Sequence, residues 1–445
     1  MRGFLVMLAL FTATAYALCA QPATTGQAPP AWTVVHCGNL LAVPGERLRG
    51  PSTLVIHNGV IERVLDGHMP VGQAAPQDVA ARFVNLSEMF VLPGLIDCHT
   101  HITFEYTRDV HLRRVQESDA DAAIAGTVYA ERTLRAGFTT IRNVGSIGDS
   151  AFALRDAIDR GDIPGPRILC AGRAITPTGG HGDRTNGYRE DLFDMPGALE
   201  GVADGEANIR QAVRAQVKRG ADLIKTTATG GVLSNIGAGV EQQLFDDELR
   251  AIVETARLLN KKVAAHAHGT RGINAALRAG VDSIEHGTYL DDESIRLFVE
   301  TGAFLVPTVH AGKFVELKAQ DEGYFPPPVR LKAAAVGPQI QDSLRRAHEG
   351  GVRIAFGTDV GVGAHGTNAR EFVYMVEAGM SPEACIVAAT VNAAELCGLS
   401  DTIGTLEVGK AADLIAVDGN PLDDIEELLD VDMVIKGGAV VGGED

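Results

Sequence analysis

VLPGLIDCHTHI, residues 91–102, decides the fold. It is an apolar strand ending on His99 and His101, and because side chains alternate along a strand, positions i and i+2 point to one side. Seven further runs of the same style follow it: FTTIRNVG (138–145), RILCAGRAI (167–175), DLIKTTATGG (222–231), KVAAHAHG (262–269), SIEHGTY (283–289), AFLVPTV (303–309) and RIAFGTDVG (353–361). Amphipathic stretches such as DAAIAGTVYAERTLRAG (121–137) and DDELRAIVETARLLN (246–260) separate them. Apolar strands alternating with helices make a parallel sheet of βα units, and eight such strands close a (β/α)8 TIM barrel, here over residues 91–401. The rival α/β architecture, a doubly wound open sheet, expects a GxGxxG after its first strand, and none stands there.

Outward from the barrel, both chain ends carry short β-type runs. WTVVHCGNLLAV (32–43), STLVIHNG (52–59) and VIERVLDG (60–67) read as a meander, and ADLIAVDGN (412–420) and VDMVIKGGAVVG (431–442) repeat the style. Asn58-Gly59 and Gly437-Gly438 mark tight hairpin turns. Residues 32–90 and 402–445 are therefore expected to form one small β-sandwich domain built from both ends. Residues 21–31, QPATTGQAPPA, read as a linker. Arg2 followed by FLVMLALFTATAYALCA (4–20) has the layout of a secretory signal peptide, which predicts a secreted or periplasmic protein with no membrane association once residues 1–20 are removed. Leu18 before Cys19 lacks the small residue that lipidation requires.

The 445-residue chain carries 39 Lys+Arg against 57 Asp+Glu, a net charge of −18, which argues against nucleic acid or anionic lipid as a partner. Its 45% hydrophobic content supplies a large core and excludes disorder. Of six cysteines, Cys19 falls in the leader, and the remaining odd number reads as buried thiols, with Cys385 and Cys397 the pair to test for a disulfide.

Catalytic groups of such a barrel sit at the C-terminal ends of the strands. Five of the eight ends carry a metal-compatible group: His99 and His101 on the first, Lys225 on the fourth, His266 and His268 on the fifth, His286 on the sixth and Asp359 on the eighth. A lone strand-end His is usually structural, Lys225 alone would be a surface lysine and Asp359 alone a loop cap. Their repetition at equivalent ends makes a metal site the better explanation.

With these motifs in order, and with IGTLEVGKAADLIAVDGNP (403–421) leading back into the β domain, the chain resembles the amidohydrolase superfamily from about residue 32 to 440. Lys225, where a Glu would otherwise stand, resembles the branch with two zinc ions bridged by a carboxylated lysine. Within it the likeness is to prolidase-like carboxypeptidases and dipeptidases and to ochratoxin amidohydrolases. The resemblance implies His99, His101 and Asp359 on one ion, His266 and His286 on the other, a carbamate on Lys225 between them, and Asp359 as proton shuttle for an activated water. It leaves His268 to contact the substrate or the oxyanion. A free ammonium cannot bind a cation, so the carbamate also answers the cost of burying Lys225 beside two dications.

The implied substrate is a small peptide or N-acyl amino acid cleaved at the amide bond to its C-terminal residue, including ochratoxin A. An apolar leaving residue is preferred, because the loops 230–245 and 310–328 carry no dense acidic cluster. In the Gly-rich stretch ITPTGGHGDRTNGY (175–188), which also holds Arg184, His181 is expected to line the pocket. Tyr289, His310, His365 and Arg370 are candidate donors to a substrate carboxylate. Exposed barrel helices favour a homo-oligomer. Two other readings keep the fold. In a mononuclear deaminase or imidazolonepropionase-like enzyme, His266 and His268 would share one ion, but Gly269 stands where such enzymes carry an acid. A non-catalytic binding homologue would be expected to have lost ligands.

Overall fold

A computed structural model describes residues 32–76 and 79–442; the leader and the linker read at residues 1–31 lie outside the described residues. Four strands precede the barrel: β1 (Trp32–Leu40), β2 (Ser52–His57), β3 (Val60–Asp66) and β4 (Ala81–Pro93). The barrel strands are β5 (Leu95–Thr100), β6 (Phe138–Asn143), β7 (Arg167–Cys170), β8 (Ile224–Thr227), β9 (Val263–Ala267), β10 (Ser283–His286), β11 (Phe304–Val306) and β12 (Arg353–Ile354). The chain then returns through β13 (Leu414–Val417), β14 (Met433–Lys436) and β15 (Ala439–Val440).

The eight barrel strands form two parallel sheets, β5-β6-β7 and β8-β9-β10-β11-β12. Single parallel bridges close the ring: Ile175 with Thr226 joins β7 to β8, and Thr100 with Val360 joins the far edge back to β5. The eighth run is regular for only two residues, yet it keeps its place beside β5. The Cys98 N–H donates to the Phe356 carbonyl at 2.8 Å and the Asp359 N–H to the His99 carbonyl at 2.7 Å. Gly357 permits this approach, since a Cβ there would come within 3.0 Å of the His99 Cβ on β5 and within 2.3 Å of Val306 on β11. Helices fill the connections as their caps dictate. Asp119–Arg135 starts at Ser118, whose hydroxyl accepts from the Asp121 N–H while the Asp121 carboxylate accepts from the Ser118 N–H, and Arg132 and Arg135 close its last turn.

The expected sandwich is built as one continuous seven-stranded sheet, ordered β15-β14-β13-β4-β1-β2-β3. The reason is the 13-residue length of β4, which pairs in parallel with β1 over its first part and antiparallel with β13 over its last. Val35, Leu54 and Ile56 from one end of the chain share a core with Leu414, Ala416 and Ile435 from the other. Leu92, Ile415 and Val434 face the other way and join the barrel core at Phe138 and Phe356. Both hairpins turn as their sequence requires, with positive φ at Asn58 and Gly59 (50° and 79°) and at Gly437 and Gly438 (55° and 78°).

Cys37, Cys98, Cys170, Cys385 and Cys397 are all free thiols. The pairing considered between Cys385 and Cys397 is not made, and the Cys397 thiol lies near that of Cys98 on β5 instead.

Candidate metal centre

His99, His101, Lys225, His266, His268, His286 and Asp359 all line one cavity of about 250 Å³ at the C-terminal mouth of the barrel, and His181 joins them from the loop after β7. The donors fall into two overlapping groups. The ligand atoms of His99, His286 and Asp359 lie within 4.8 Å of one another, as do those of His266, His268 and His286. Nε2 of His101 is 3.3 Å from Asp359 Oδ1 and Nε2 of His99 is 3.5 Å from it.

Each imidazole has one nitrogen committed to the protein, which turns the other toward the centre. His99 Nδ1–H donates to Glu285 Oε2 at 2.7 Å, and His101 Nδ1–H donates to the Gly145 carbonyl at 3.1 Å. Nδ1 of His286 bonds to Thr308 Oγ1 at 2.6 Å, and Nδ1 of His268 to Thr288 Oγ1 at 2.7 Å. His266 reverses the sense: its Nε2–H donates to the Gly230 carbonyl at 3.3 Å, leaving Nδ1 for the cavity. His181 stacks on His266 with ring centroids 4.2 Å apart, its Nδ1 on Ser234 Oγ at 2.6 Å.

Three of the residues framing the centre hold non-glycine backbone in the left-handed region: His286 (φ 72°), Thr308 (φ 55°) and Asp359 (φ 59°). Such conformations persist only where the surroundings over-determine them, and here they turn side chains inward at the ends of three strands. Asp359 is fixed through its neighbour. The fully buried Asp97 carboxylate accepts from the Thr358 hydroxyl at 2.6 Å, from Asn368 Nδ2 at 2.8 Å and from the His99 N–H at 3.0 Å, tying the Asp359 loop to β5.

Burial sets the protonation states. It pulls His99, His266 and His286 well below the usual imidazole range, takes His101 down to about 4, and takes His268 and His181 to about 3, with the Lys225 charge or neighbouring imidazoles adding to it. Neutral imidazoles are the form that donates a lone pair. Burial likewise lowers the Lys225 ammonium and raises the Asp359 carboxyl. Lys225 is 4% exposed, and among the described residues its amine makes no hydrogen bond or ion pair. Asp359 Oδ1 is buried without a hydrogen-bond partner. A partnerless amine, an orphaned carboxylate oxygen and five inward-turned imidazole nitrogens fit divalent cations and a carbon dioxide adduct of Lys225.

His268 is not set apart from the other donors. Its ring stacks on His286 at 4.8 Å, within the second group. Four candidate substrate contacts stand outside the cavity. His310 gives Nε2 to Thr367 Oγ1, and its backbone N–H donates to Glu371. His365 stacks on Tyr129 and bonds to the Phe104 carbonyl. Arg370 is exposed at the start of a helix, and Tyr289 lines a separate polar depression with Glu241 and Arg271. One-dimensional spacing places a residue near a strand end but does not say which way its loop turns.

The sequence reading gave no role to Glu285, Arg142, Asp97, Thr288 or Thr308. The first two had a signal: a charged residue inside an apolar strand run must find a partner when buried. Glu285 and Arg142 are 0% and 2% exposed and pair with each other at 2.7 Å. The remaining cavity wall is largely apolar, with Phe104, Tyr106, Val110, Val232, Leu233 and Ile340 prominent. The loop carrying Val232 and Leu233 is pinned by Lys332 Nζ, which donates to the carbonyls of Gly231 (2.8 Å), Ser234 (2.7 Å) and Ile236 (3.3 Å).

Residues 90–441 match the family model "Amidohydrolase family". The chain is 33% identical over 440 residues to an ochratoxinase of Aspergillus niger, covering 92% of this chain and 87% of that one. Among solved structures it is similar to a Xaa-Pro dipeptidase with bound methionine in the active site, at 44% identity and a TM-score of 0.88, covering 93% of this chain and 100% of the other. It is also similar to a prolidase complexed with N-methylphosphonate-L-proline, at 32% identity and a TM-score of 0.82, covering 93% and 100%.

Proposed function

The chain belongs to the amidohydrolase family and is a hydrolase acting on amide bonds, and we propose that it is a binuclear metalloenzyme releasing an apolar C-terminal amino acid from dipeptides or N-acyl amino acids, ochratoxin A among them. The observation that carries this reading is one cavity holding both the donor cluster and an apolar wall. The methionine bound in the Xaa-Pro dipeptidase and the activity named for the ochratoxinase support an apolar amino-acid product.

His99, His101 and Asp359 would hold one ion, His266 and His286 the other, and Lys225 would bridge them as its carbamate. The carbamate forms when the neutral amine adds to the carbon of CO2 and releases a proton, a reaction that burial of Lys225 favours by lowering its ammonium. Two zinc-type ions bound there would polarise the scissile carbonyl and make water acidic enough to ionise near neutral pH. The residues themselves handle orientation and the proton. Asp359 Oδ1, unpartnered and aimed at the centre, takes the proton of the attacking water and delivers it to the leaving nitrogen. His268, with Nδ1 held by Thr288, presents Nε2 to the substrate carbonyl oxygen, where a tetrahedral centre gathers negative charge. Phe104, Tyr106 and Ile340 exclude water around the apolar side chain. Residues 1–20 are read as a leader removed on export, which N-terminal sequencing of the exported chain checks.

A panel of dipeptides and N-acyl amino acids, assayed alongside metal content, tests the function. Two ions per chain with fastest release of Phe, Met or Leu is expected. One ion per chain, or ammonia released from ring amines in place of an amino acid, overturns it.

A further inference from the structure

Two arginines share the cavity with the histidine cluster: Arg114, on the helix Val110–Gln116, and Arg184, on the loop after β7. Neither makes a hydrogen bond or ion pair among the described residues, whereas the nearby Arg113 is paired with Glu117 at 2.7 Å. The one acid lining the same cavity besides Asp359 is already spent. Asp183 Oδ1 accepts from the N–H and hydroxyl of Thr185 (3.0 and 2.6 Å), and Oδ2 from the Gly179 N–H (2.9 Å).

The elements bearing the two cations are clamped together by one aromatic ring. Tyr188 hydroxyl lies 3.0 Å from His111 Nδ1, and the Arg114 guanidinium lies 5.8 Å from the Tyr188 ring centroid. The Arg184 loop is stiffened from within, since Asn186 Nδ2 donates to the Gly180 carbonyl at 2.7 Å and the Gly182 N–H to Thr176 Oγ1 at 3.1 Å. Arg184 is exposed at the rim of the cavity, with the charges of Arg114, Arg173 and Asp119 nearby. Two guanidinium groups without a protein partner on one cavity wall attract an anion, and guanidinium groups match a carboxylate with two parallel N–H···O bonds.

We propose that Arg114 and Arg184 form a subsite for the free α-carboxylate of the substrate, so that the enzyme reads a C-terminal acid at one end of the cavity and places the preceding amide at the donor cluster. This rests on the proposed function. It replaces Tyr289, His310, His365 and Arg370, which stand away from the cavity, as the carboxylate donors. It also makes the enzyme a carboxypeptidase in the strict sense, because an internal peptide bond or a C-terminal amide presents no carboxylate to the arginine pair.

The test uses metal-loaded enzyme with Arg114→Met, Arg184→Met and the double variant, on N-acetyl-L-phenylalanine and its carboxamide. Wild type should prefer the acid, and each single variant should cut that preference about 10-fold or more through KM, as loss of a hydrogen bond to a charged group predicts. Parallel loss on acid and amide, or no change in the preference, overturns the subsite. Calorimetric titration of the same two compounds separates this from the reaction itself. If wild type cleaves neither compound yet binds the acid selectively, and the double variant does not, the subsite stands and the proposed reaction falls; no acid-selective binding by wild type overturns the subsite.

Discussion

Glu285 on β10 accepts a 2.7 Å hydrogen bond from His99 Nδ1 on β5, across the interior of the barrel, while its other oxygen accepts from Arg142 Nη2 at 2.7 Å. The pair fixes the tautomer and direction of one cavity-facing imidazole from a residue that does not line the cavity. Glu285→Gln should weaken metal binding about 10- to 100-fold, as read by chelator competition. It should also destabilise the fold by about 3–5 kcal/mol in denaturant melts, because Arg142 is left buried without its counter-charge. Unaltered metal affinity would assign Glu285 to the fold alone.

Lys225→Ala should lose bound metal and activity together, and a short-chain carboxylic acid added at high concentration should restore part of both. Metal analysis before and after the addition decides it, and full metal content without the acid would remove the bridging role.

Asp359→Asn and His268→Asn should separate by stoichiometry. Turnover should fall about 100- to 10,000-fold when the proton carrier at 359 is lost. With His268→Asn both ions should remain while turnover falls, and loss of one ion instead would make His268 a ligand, as its place beside His266 and His286 allows.

Lys332→Met frees three carbonyls of the loop that carries Val232 and Leu233. The expected outcome is a KM raised about 10-fold for apolar substrates with metal content intact, since correct placement of the wall residues is what the loop supplies.

Glu371 gives a pH signature. Fully buried, with its oxygens accepting from the Val309 and His310 N–H groups at 2.9 and 2.6 Å, its carboxyl is pushed up to about 8 by burial. A carboxyl raised above its unfolded value contributes stability that is complete below that value and lost as pH rises through the folded one. Melting curves should therefore show Glu371→Gln gaining on the parent protein between about pH 5 and pH 8.5, by a few °C. A difference independent of pH would contradict the raised carboxyl.

The barrel was legible because each strand is a contiguous apolar run and each candidate metal donor sits within a residue or two of a strand end, or, for Asp359, in the eighth run beyond its short strand. Period-two alternation alone placed His99 with His101 and His266 with His268. Arg114 and Arg184 escaped assignment because their meeting depends on how the loop 175–188 folds onto the helix Val110–Gln116 through Tyr188, a contact 74 to 77 residues apart along the chain. His310 and His365 fall outside the cavity for the same reason: the segments after β11 and β12 turn those rings into the protein, against Thr367 and Tyr129. The boundary assigned at residue 90 falls inside β4, which runs on to Pro93.

That long β4 ties the order of synthesis to the order of assembly. Its final residues, Phe90 to Pro93, wait for Leu414–Val417 to arrive as their antiparallel neighbour. Until more than nine-tenths of the chain has been made, an apolar edge beside the barrel floor stays open to pairing with another molecule. A chain terminated between Asp359 and β13 would keep every proposed metal donor and still be left with this adhesive border, so a late nonsense change should yield aggregates in place of a shortened enzyme.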